Sequence, residues 1–411
     1  MSMRRVVITG MGVVSPLGNS VGTFWQGLCE GRSGIRRVET FPVDDFPSQI
    51  AGEAPPVQPE GFGAKEMRRY SRAIVFAVAA ADEAMKQAGV DMDKEDPYRC
   101  GVIVGSGFGG TEVIYENAVK LDKAGPRRVS PLLVPSGIIN MIPGVLAIRY
   151  HFQGMNKSVV TACATGTQCI GDAVMWIRQN KADVMLAGAS EACVTPLGLA
   201  GFGAMHALST RNDEPEKASR PFDRDRDGFV LAEGAGILVL ESEEHARARG
   251  AEILAEVVGV GETCDAHHIT APAPDAQPVA QAMRLALQEA GLSPSAIDYY
   301  NAHGTSTRLN DPIETLALKQ VFGDSMPPVS STKSMTGHLL GAAGAIEAIA
   351  CVMAVRDGIL PPNINYENPD PECAVNIVAN VAREASVATA MSNSLGFGGH
   401  NASIILRRYE P

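Results

Sequence analysis

The stretch Val159-Val160-Thr161-Ala162-Cys163-Ala164-Thr165-Gly166 joins a short β-branched run, a cysteine between small residues and the start of a helical pattern. Apolar residues then recur at the i, i+3, i+4 and i+7 positions Ile170, Ala173, Val174 and Ile177. This spacing predicts a strand-to-helix turn, with a helix that begins within a few residues of Cys163. Because free N–H groups and the positive end of the dipole lie at a helix N-terminus, we expect a reactive thiolate there. The alternative is a small buried cysteine without a chemical role, which is a common fate of the residue.

The composition predicts a globular α/β protein. The chain has 411 residues, of which 45% are hydrophobic and 20% charged, so it can bury a large core. Its 42 glycines, many of them beside short runs of Val, Ile and Leu, are typical of layered strands and helices joined by tight turns. Strands are predicted over residues 6–9, 101–104, 236–240, 253–260 and 298–302.

Hydropathy, cysteine content and net charge limit where the protein can be located and which partners it can bind. No stretch reaches the roughly 18 consecutive apolar residues of a membrane span, and residues 1–9 lack the features of a signal peptide, so we expect a cytoplasmic protein. The eight cysteines form no CxxC pair, which predicts reduced thiols rather than disulfides or a zinc site. A net charge of −11 argues against general nucleic-acid binding. An acidic partner would need a local basic patch.

Two short motifs resemble ligand-binding loops and are not assigned that role. Gly105–Gly110 matches G-x-G-x-x-G, but the proline-bearing basic loop at residues 124–128 does not fit a compact dinucleotide-binding βαβ unit. Asp223–Gly228 begins like a calcium loop, yet the twelfth position is Gly234 rather than glutamate.

The second part of the chain echoes the first. Residues 298–302 are similar to the strand around Val102, and residues 330–337 align with residues 160–166. We interpret this as a diverged internal duplication, with one domain over residues 1–250 and another over residues 251–411. In this alignment Lys333 falls close to the position of Cys163.

Candidate catalytic side chains are concentrated in three stretches rich in Gly, Ser and Thr, each of which follows an apolar segment. They are Asn301–Thr307, Lys333–His338 and Asn393–Asn401. Each histidine taken alone would more often be structural than catalytic. Together, two histidines and a lysine are typical of a site that binds a thioester carbonyl and handles carbanion charge.

These motifs resemble the β-ketoacyl-acyl-carrier-protein synthases of the thiolase superfamily, most closely the type II members. The resemblance covers nearly the whole chain, and its marks are the segments 6–12, 161–163, 219–223, 227–230, 301–307, 331–338 and 396–399. It implies two thiolase halves packed as five α-β-α-β-α layers. It also implies a homodimer formed through the sheet of the first half, and substrates carried on acyl carrier protein, with no cofactor and no metal.

The resemblance implies a decarboxylative Claisen condensation in two half-reactions. Cys163 takes the acyl group, and the backbone N–H groups of Cys163 and Phe397 form the oxyanion hole. His303 and His338 assist loss of CO₂ from malonyl-carrier protein and stabilise the enolate, which requires them to be largely neutral. Lys333, paired with Glu347, orients the site electrostatically. The sequence leaves open which histidine meets the malonyl carboxylate.

Further residues are assigned to substrate and carrier by the same resemblance. Thr270, Thr305 and Thr307 would contact the substrate arm, and Phe108, where isoleucine is usual, would line and shorten the acyl pocket. The chain also departs from the family at His400, usually threonine, and at His206, usually arginine. A helical pattern from residue 65 to 89 begins with basic residues, and with a later basic loop it forms the expected carrier-docking patch: Lys65, Arg68, Arg69, Arg127 and Arg128.

Several alternatives remain at this point. A specialised polyketide or polyene synthase of the same class would carry the same motifs. A non-catalytic chain-length-factor subunit would have lost the nucleophile, which is present here as Cys163, and a module that only holds acyl chains would not need His303 or Lys333. A thiolase proper would carry a second catalytic cysteine near its C-terminal glycine loop, and a type III synthase would lack the second histidine, His338.

Overall fold

The computed structural model describes residues 3–411, which fold into strands and helices that alternate through most of the chain. The strands are β1 (Val6–Val14), β2 (Arg36–Arg37), β3 (Ile50–Ala51), β4 (Cys100–Gly105), β5 (Asn156–Lys157), β6 (Val184–Glu191), β7 (Gly234–Ser242), β8 (Ala255–Cys264), β9 (Tyr299–Asn301), β10 (Val329–Ser330), β11 (Ile359–Leu360), β12 (Arg383–Glu384), β13 (Thr389–Gly396) and β14 (His400–Arg407). The helices are α1 (Val21–Cys29), α2 (Ala64–Arg69), α3 (Arg72–Ala88), α4 (Thr111–Ala124), α5 (Leu133–Gly137), α6 (Met141–Tyr150), α7 (Thr165–Arg178), α8 (Pro196–Ala204), α9 (Glu243–Ala248), α10 (Gln277–Ala290), α11 (Asn310–Phe322), α12 (Lys333–Thr336) and α13 (Ala343–Asp357).

Ten strands form one continuous sheet in the order β10-β9-β13-β14-β8-β1-β7-β6-β4-β5. The two halves of this sheet repeat one topology. In each half the three outer strands are parallel and the two inner strands antiparallel to their neighbours, from β5 to β1 and from β10 to β8. The predicted α/β fold with duplicated halves is therefore confirmed. The domain boundary at residue 250 stays a prediction.

Helices cover the sheet in three layers, each with its own apolar core. α7 and α13 pack against each other and against both halves of the sheet, and their nearly continuous burial fills the central core. α3 covers the outer face of the first half, and α10 covers that of the second half. This gives the predicted α-β-α-β-α arrangement. No helix among residues 3–411 is long and apolar enough to span a membrane.

The repeat identifies which residues are equivalent in the two halves. Ala162 and Leu340 both have left-handed φ values, 49° and 47°. Each opens a 3₁₀ turn, and these turns lead into α7 and α13. Cys163 therefore corresponds to Gly341. The predicted alignment of Lys333 with Cys163 is wrong, because the second half has a longer segment, including α12, before its turn.

Two local predictions also need correction. The helix predicted from residue 65 to 89 is divided into α2 and α3, because Tyr70 is extended and the Ser71 side chain caps a new helix by accepting from Ile74 N–H. The apolar run at residues 159–161 is not a strand. β5 ends at Lys157, and Val160 is 51% exposed in an irregular segment before the Cys163 turn.

Candidate active site

Cys163 lies in a tight turn at the N-terminus of α7. The Thr165 hydroxyl closes this turn, because it donates to the Ala162 carbonyl at 2.8 Å and accepts from the Thr161 N–H at 2.9 Å. A left-handed alanine costs about 1–3 kcal/mol and persists only where its surroundings impose it. The turn therefore holds the thiol in a fixed direction, 7% exposed and facing an internal cavity.

The imidazole of His338 lies against this sulfur. Its Nε2 is 3.0 Å from Cys163 Sγ, and its Nδ1 accepts a hydrogen bond from the Leu340 N–H at 3.3 Å. A neutral imidazole has one donor and one acceptor nitrogen, so the Leu340 contact assigns the hydrogen to Nε2. His338 therefore presents a hydrogen-bond donor to the reacting atoms.

His303 completes a group of three buried side chains. Its ring is nearly perpendicular to that of His338, at 83° with the ring centroids 5.3 Å apart. One nitrogen or sulfur atom from each of Cys163, His303 and His338 lies within 4.8 Å of the other two, close enough to share one metal ion. A metal would need the Nε2 lone pair of His338, yet the Leu340 contact places a hydrogen there. The geometry therefore favours hydrogen bonding to a substrate over metal binding.

The backbone of His303 is anchored by Glu314, a residue that the sequence did not single out. The fully buried carboxylate accepts from the His303 N–H at 2.8 Å, the Gly304 N–H at 2.7 Å and the Tyr300 hydroxyl at 3.0 Å. The sequence feature that could have identified Glu314 is its spacing from Asp311. The two carboxylates lie three residues apart, on one face of the helix that follows the histidine motif. These bonds fix the position of His303.

Burial keeps both histidines neutral. Desolvation lowers the pKa of His303 and of His338 well below 6.5, and the nearby Lys333 charge lowers both further. Near pH 7 each imidazole therefore has one donor nitrogen and no charge. This is the protonation state that enolate stabilisation by hydrogen bonding requires.

Burial also affects the Cys163 thiol, and it opposes the thiolate that the sequence predicts. Desolvation raises the pKa of Cys163 to about 12, while Lys333 and a hydrogen bond from the Phe397 N–H oppose this rise. This desolvation opposes the stabilisation of a thiolate that the sequence predicts at the helix N-terminus, and the resting thiolate stays a prediction.

Lys333 projects from α12 and forms a buried ion pair with Glu347 of α13. Both side chains are at most 2% exposed. Removing one partner of a buried ion pair typically costs about 3–5 kcal/mol, because the other charge is left uncompensated. The pair holds the Lys333 ammonium group in place, and its positive charge lowers the pKa of the thiol and of both histidines.

The loop after β13 brings Phe397 close to Cys163. The Phe397 N–H lies near enough to the Cys163 sulfur to oppose the rise in its pKa. Gly396 permits this close approach, because a Cβ there would lie 2.6 Å from the Thr161 carbonyl oxygen and 3.2 Å from Cys163 N. The structure thus places the Phe397 N–H and the α7 N-terminus beside one sulfur.

His400 lies on the far side of the same loop. It pairs with Cys264 across β14 and β8, and its ring packs over Gly398, whose φ is 87°. His400 is not among the residues that line the cavity. Its bulk therefore acts on the packing of the loop rather than on substrate contacts.

A cavity of about 290 Å³ leads to Cys163. Its lining includes the three threonines expected at the substrate arm, Thr270, Thr305 and Thr307, and the Thr305 and Thr307 hydroxyls lie 3.0 Å apart. His206 lines the same cavity. The walls thus combine hydroxyls with apolar side chains, as expected of a site for an amide-containing arm and an acyl chain.

Phe108 is not among the residues that line this cavity, and its predicted contact with the acyl chain stays a prediction. It is 40% exposed, and its ring packs edge-on against Phe202 with centroids 5.7 Å apart. Phe202 does line the cavity and contacts Phe229, which in turn packs against His338. Phe108 thus supports the wall of this cavity through Phe202.

The five residues of the expected carrier-docking patch are all exposed. Three belong to α2 and two to the 3₁₀ turn after α4: Lys65, Arg68, Arg69, Arg127 and Arg128. Within residues 3–411 none of the five forms a salt bridge with another side chain of the chain. Their charges are therefore available to a partner.

Comparisons with known proteins identify the family of the chain. The chain matches the family descriptions "Beta-ketoacyl synthase, N-terminal domain" over residues 3–246 and "Beta-ketoacyl synthase, C-terminal domain" over residues 254–367. It is 49% identical to 3-oxoacyl-[acyl-carrier-protein] synthase 2 of Coxiella burnetii, with 99% of each chain covered. It is also 49% identical to the synthase 2 of Vibrio cholerae, with 99% of this chain and 100% of the relative covered.

Solved structures show the same fold. A ketosynthase structure described as a type II polyketide synthase acyl-carrier protein in complex with its ketosynthase matches with a TM-score of 0.93 and 36% identity, covering 100% of both chains. A β-ketoacyl synthase from Burkholderia phymatum matches with a TM-score of 0.92 and 38% identity, covering 99% of this chain and 100% of that one. The chain is an acyltransferase that belongs to the β-ketoacyl synthase family.

Proposed function

We propose that the chain is a 3-oxoacyl-acyl-carrier-protein synthase that elongates acyl chains in fatty acid synthesis. The observation that carries this proposal is the position of Cys163, 3.0 Å from the donor Nε2 of His338 and beside a second neutral histidine at the end of the cavity. The names of the curated relatives support carrier-linked substrates, and their identity of 49% exceeds the 36–38% of the polyketide ketosynthases and the Burkholderia phymatum synthase.

In the first half-reaction the Cys163 sulfur attacks the acyl thioester carbonyl. A new C–S bond forms, the bond to the carrier sulfur breaks, and the thiol proton ends on the released pantetheine thiol. The N–H groups of Cys163 and Phe397 stabilise the oxyanion of the tetrahedral intermediate. Because proton and acyl group exchange between two thiols, the high pKa of Cys163 requires no net proton uptake.

In the second half-reaction malonyl-carrier protein loses CO₂. The electron pair of the broken C–C bond forms an enolate, whose oxygen accepts hydrogen bonds from the neutral histidines. The donor on His338 Nε2 is available because acylation converts the Cys163 sulfur into a poor acceptor. The carbanion then attacks the acyl-enzyme carbonyl and forms the new C–C bond. The C–S bond breaks, and the departing Cys163 thiolate takes up one proton from water, which regenerates the thiol.

The proposal is tested with malonyl-carrier protein and acyl primers of increasing length, with products identified by mass spectrometry. We expect each accepted primer to gain two carbons as a 3-oxoacyl product, with one CO₂ released. Release of CO₂ without a condensed product on any primer would contradict the proposal. Repeated extension on one carrier, giving poly-β-keto chains, would favour the specialised polyketide alternative.

The basic residues of α2 and of the turn after α4 are proposed to dock the acidic carrier. Charge reversal in Arg68→Glu or Arg128→Glu should raise KM for carrier-linked substrates about 5- to 30-fold, because each removes an attraction and adds a repulsion. The salt dependence of KM should weaken in both variants. Turnover of a short pantetheine thioester should stay near that of the unmodified enzyme.

Lys319→Glu, an exposed charge reversal on α11, is the matched control and should leave both substrates unaffected. Equal losses on carrier-linked and pantetheine substrates in Arg68→Glu would show that this segment has a structural role instead.

Phe108 is proposed to limit primer length through Phe202. Phe108→Ala removes the ring that supports Phe202, so the cavity wall can yield to a longer acyl chain. Relief of about 1–3 kcal/mol of overpacking corresponds to a gain of about 5- to 150-fold for long over short primers. The primer ladder measures this ratio, and Tyr98→Ala, an exposed aromatic before β4, is the control. An unaltered ladder in Phe108→Ala would refute the role.

Two copies of the chain are proposed to form a dimer through the first half of the sheet. α4 buries only Asn117, and it leaves Ile114, Tyr115 and Leu121 about half exposed. Apolar side chains in such number on one helix mark an interaction surface. Sedimentation of the purified protein should therefore give twice the 43.3 kDa of one chain, and a monomer would contradict the proposal. A cytoplasmic location and the lack of a cofactor stay predictions.

A further inference from the structure

The internal repeat gives the catalytic centre a counterpart in the other half of the molecule. Gly341 is the equivalent of Cys163, one residue after the left-handed turn position. Glu191 ends β6 and pairs with Gly234, the first residue of β7. Gly396 likewise ends β13 and pairs with His400, the first residue of β14. The position that carries a glycine beside Cys163 thus carries a glutamate beside Gly341.

The Glu191 carboxylate fills this counterpart of the oxyanion hole. One oxygen accepts from the Gly107 N–H at 2.8 Å and the Gly341 N–H at 3.1 Å. The other accepts from the Phe108 N–H at 3.0 Å and the Ser106 hydroxyl at 2.9 Å. The residue is fully buried, and it forms no salt bridge within residues 3–411. A carboxylate oxygen of Glu191 thus accepts a hydrogen bond at the N-terminus of α13. In the other half, a substrate oxygen would occupy the equivalent place at the N-terminus of α7.

We propose that Glu191 is a positioning residue that couples the acyl-side loop, Ser106–Phe108, to the catalytic turn, His338–Gly341. This inference rests on the proposed function and extends it to a residue outside the cavity. The acyl-side loop supports the cavity wall through Phe108, as shown above. The catalytic turn sets the tautomer of His338 through Leu340, the neighbour of Gly341. One carboxylate therefore holds both the wall of the acyl site and the hydrogen-bond donor of the reaction.

The four partners of Glu191 all donate to it, so its two oxygens serve as acceptors. A glutamine at this position would turn its NH₂ group toward at least one of them. Ser106 is the partner that can adapt, since its hydroxyl can rotate and accept. The Phe108 N–H on the same side would then lose its acceptor, and a buried N–H without an acceptor costs about 1–3 kcal/mol. Glu191→Gln should therefore loosen the acyl-side loop first.

Glu191→Gln and Ser106→Ala test the coupling on the primer ladder and in malonyl decarboxylation, at a temperature where each variant is fully folded. We expect Glu191→Gln to raise the kcat/KM ratio of long to short primers about fivefold or more, and to slow decarboxylation about tenfold through misplacement of His338. Ser106→Ala removes one donor to Glu191 and also the acceptor of the Gly109 N–H, and it should shift the primer ratio in the same direction by about twofold to fivefold.

Glu83→Gln is the matched control. Glu83 is a carboxylate of α3, away from the cavity lining, and accepts from the Val13 N–H at 3.0 Å and the Val21 N–H at 2.8 Å. This variant should lose thermal stability without a change in the primer ratio, as any purely structural carboxylate would.

A folded Glu191→Gln protein with the primer ratio and decarboxylation rate of the unmodified enzyme would overturn the inference. If that variant does not fold, Ser106→Ala decides, and an unchanged primer ratio in it would overturn the inference equally. Failure of the proposed function is distinguishable, because the unmodified enzyme itself would then condense no primer.

Discussion

Replacement of Cys163 by alanine should abolish condensation, with a loss of about 10³-fold or more, and should leave no detectable acyl-enzyme. Among the eight cysteines, Cys163 is the one that lines the cavity, and it has the N–H of Phe397 beside its sulfur. Cys169 lies within α7, fully buried. Incubation with acyl-carrier protein followed by peptide mapping should locate the acyl group on the peptide that contains Cys163.

Cys264→Ala provides the matched control, because Cys264 is the exposed cysteine of the described chain and lies close to the Phe397 loop. This variant should acylate and condense like the unmodified enzyme. Acylation that survives Cys163→Ala, or an acyl group mapped to another cysteine, would remove Cys163 from the role of nucleophile.

The residues of the candidate active site could be proposed from the sequence because their motifs are local and chemically unusual. Cys163, His303 and His338 each lie in a short run of small and polar residues after an apolar segment, and this pattern survives without knowledge of the fold. The repeated sheet topology then brings the separate runs to one centre. The pairing of Lys333 with Glu347 followed from the resemblance and is visible in the structure as a buried contact.

Other features were inaccessible because they depend on burial and on partners distant in sequence. The pKa of Cys163 is set by desolvation, which a motif does not show. Glu191 and Glu314 act through hydrogen bonds to backbone N–H groups of residues up to 150 positions away in the chain. Phe108 was assigned to the acyl pocket by the resemblance alone, and the sequence did not show that its ring packs against Phe202, which lines the cavity.

The alignment of the two halves failed for a different reason. Similar residue types around Lys333 and Cys163 suggested equivalence, but backbone conformation shows that Gly341 is the true counterpart. The two equivalent positions carry different residues because they have different roles. The turn presents the Cys163 thiol in one half and the Gly341 N–H, which donates to Glu191, in the other. The left-handed φ values, the 3₁₀ turns and the helices that follow them preserve the relationship.

Alanine substitution of either histidine should lower condensation by about 10²- to 10⁴-fold while acyl transfer suffers less. His338→Ala removes the Nε2 donor fixed by Leu340, and His303→Ala removes the second neutral ring beside it. Both substitutions remove stabilisation of the enolate, which forms only in the second half-reaction. Pre-acylated enzyme mixed with malonyl-carrier protein separates the two steps, and release of CO₂ reports decarboxylation directly.

The pH dependence supplies an independent check on the same assignment. A histidine with the ordinary pKa of 6.5 would be half protonated at that pH, and an enzyme that depends on its neutral form would lose half its rate there. Because burial and Lys333 hold the pKa of His303 and His338 well below 6.5, condensation by pre-acylated enzyme should stay nearly constant between pH 6 and 8. His151→Ala, remote from the cavity, should keep both this profile and the full rate. A decline centred near pH 6.5 would show that the pKa of a required histidine is not lowered by burial. Acyl transfer reduced as much as condensation in His338→Ala would instead mean that His338 acts in proton transfer to or from the nucleophile.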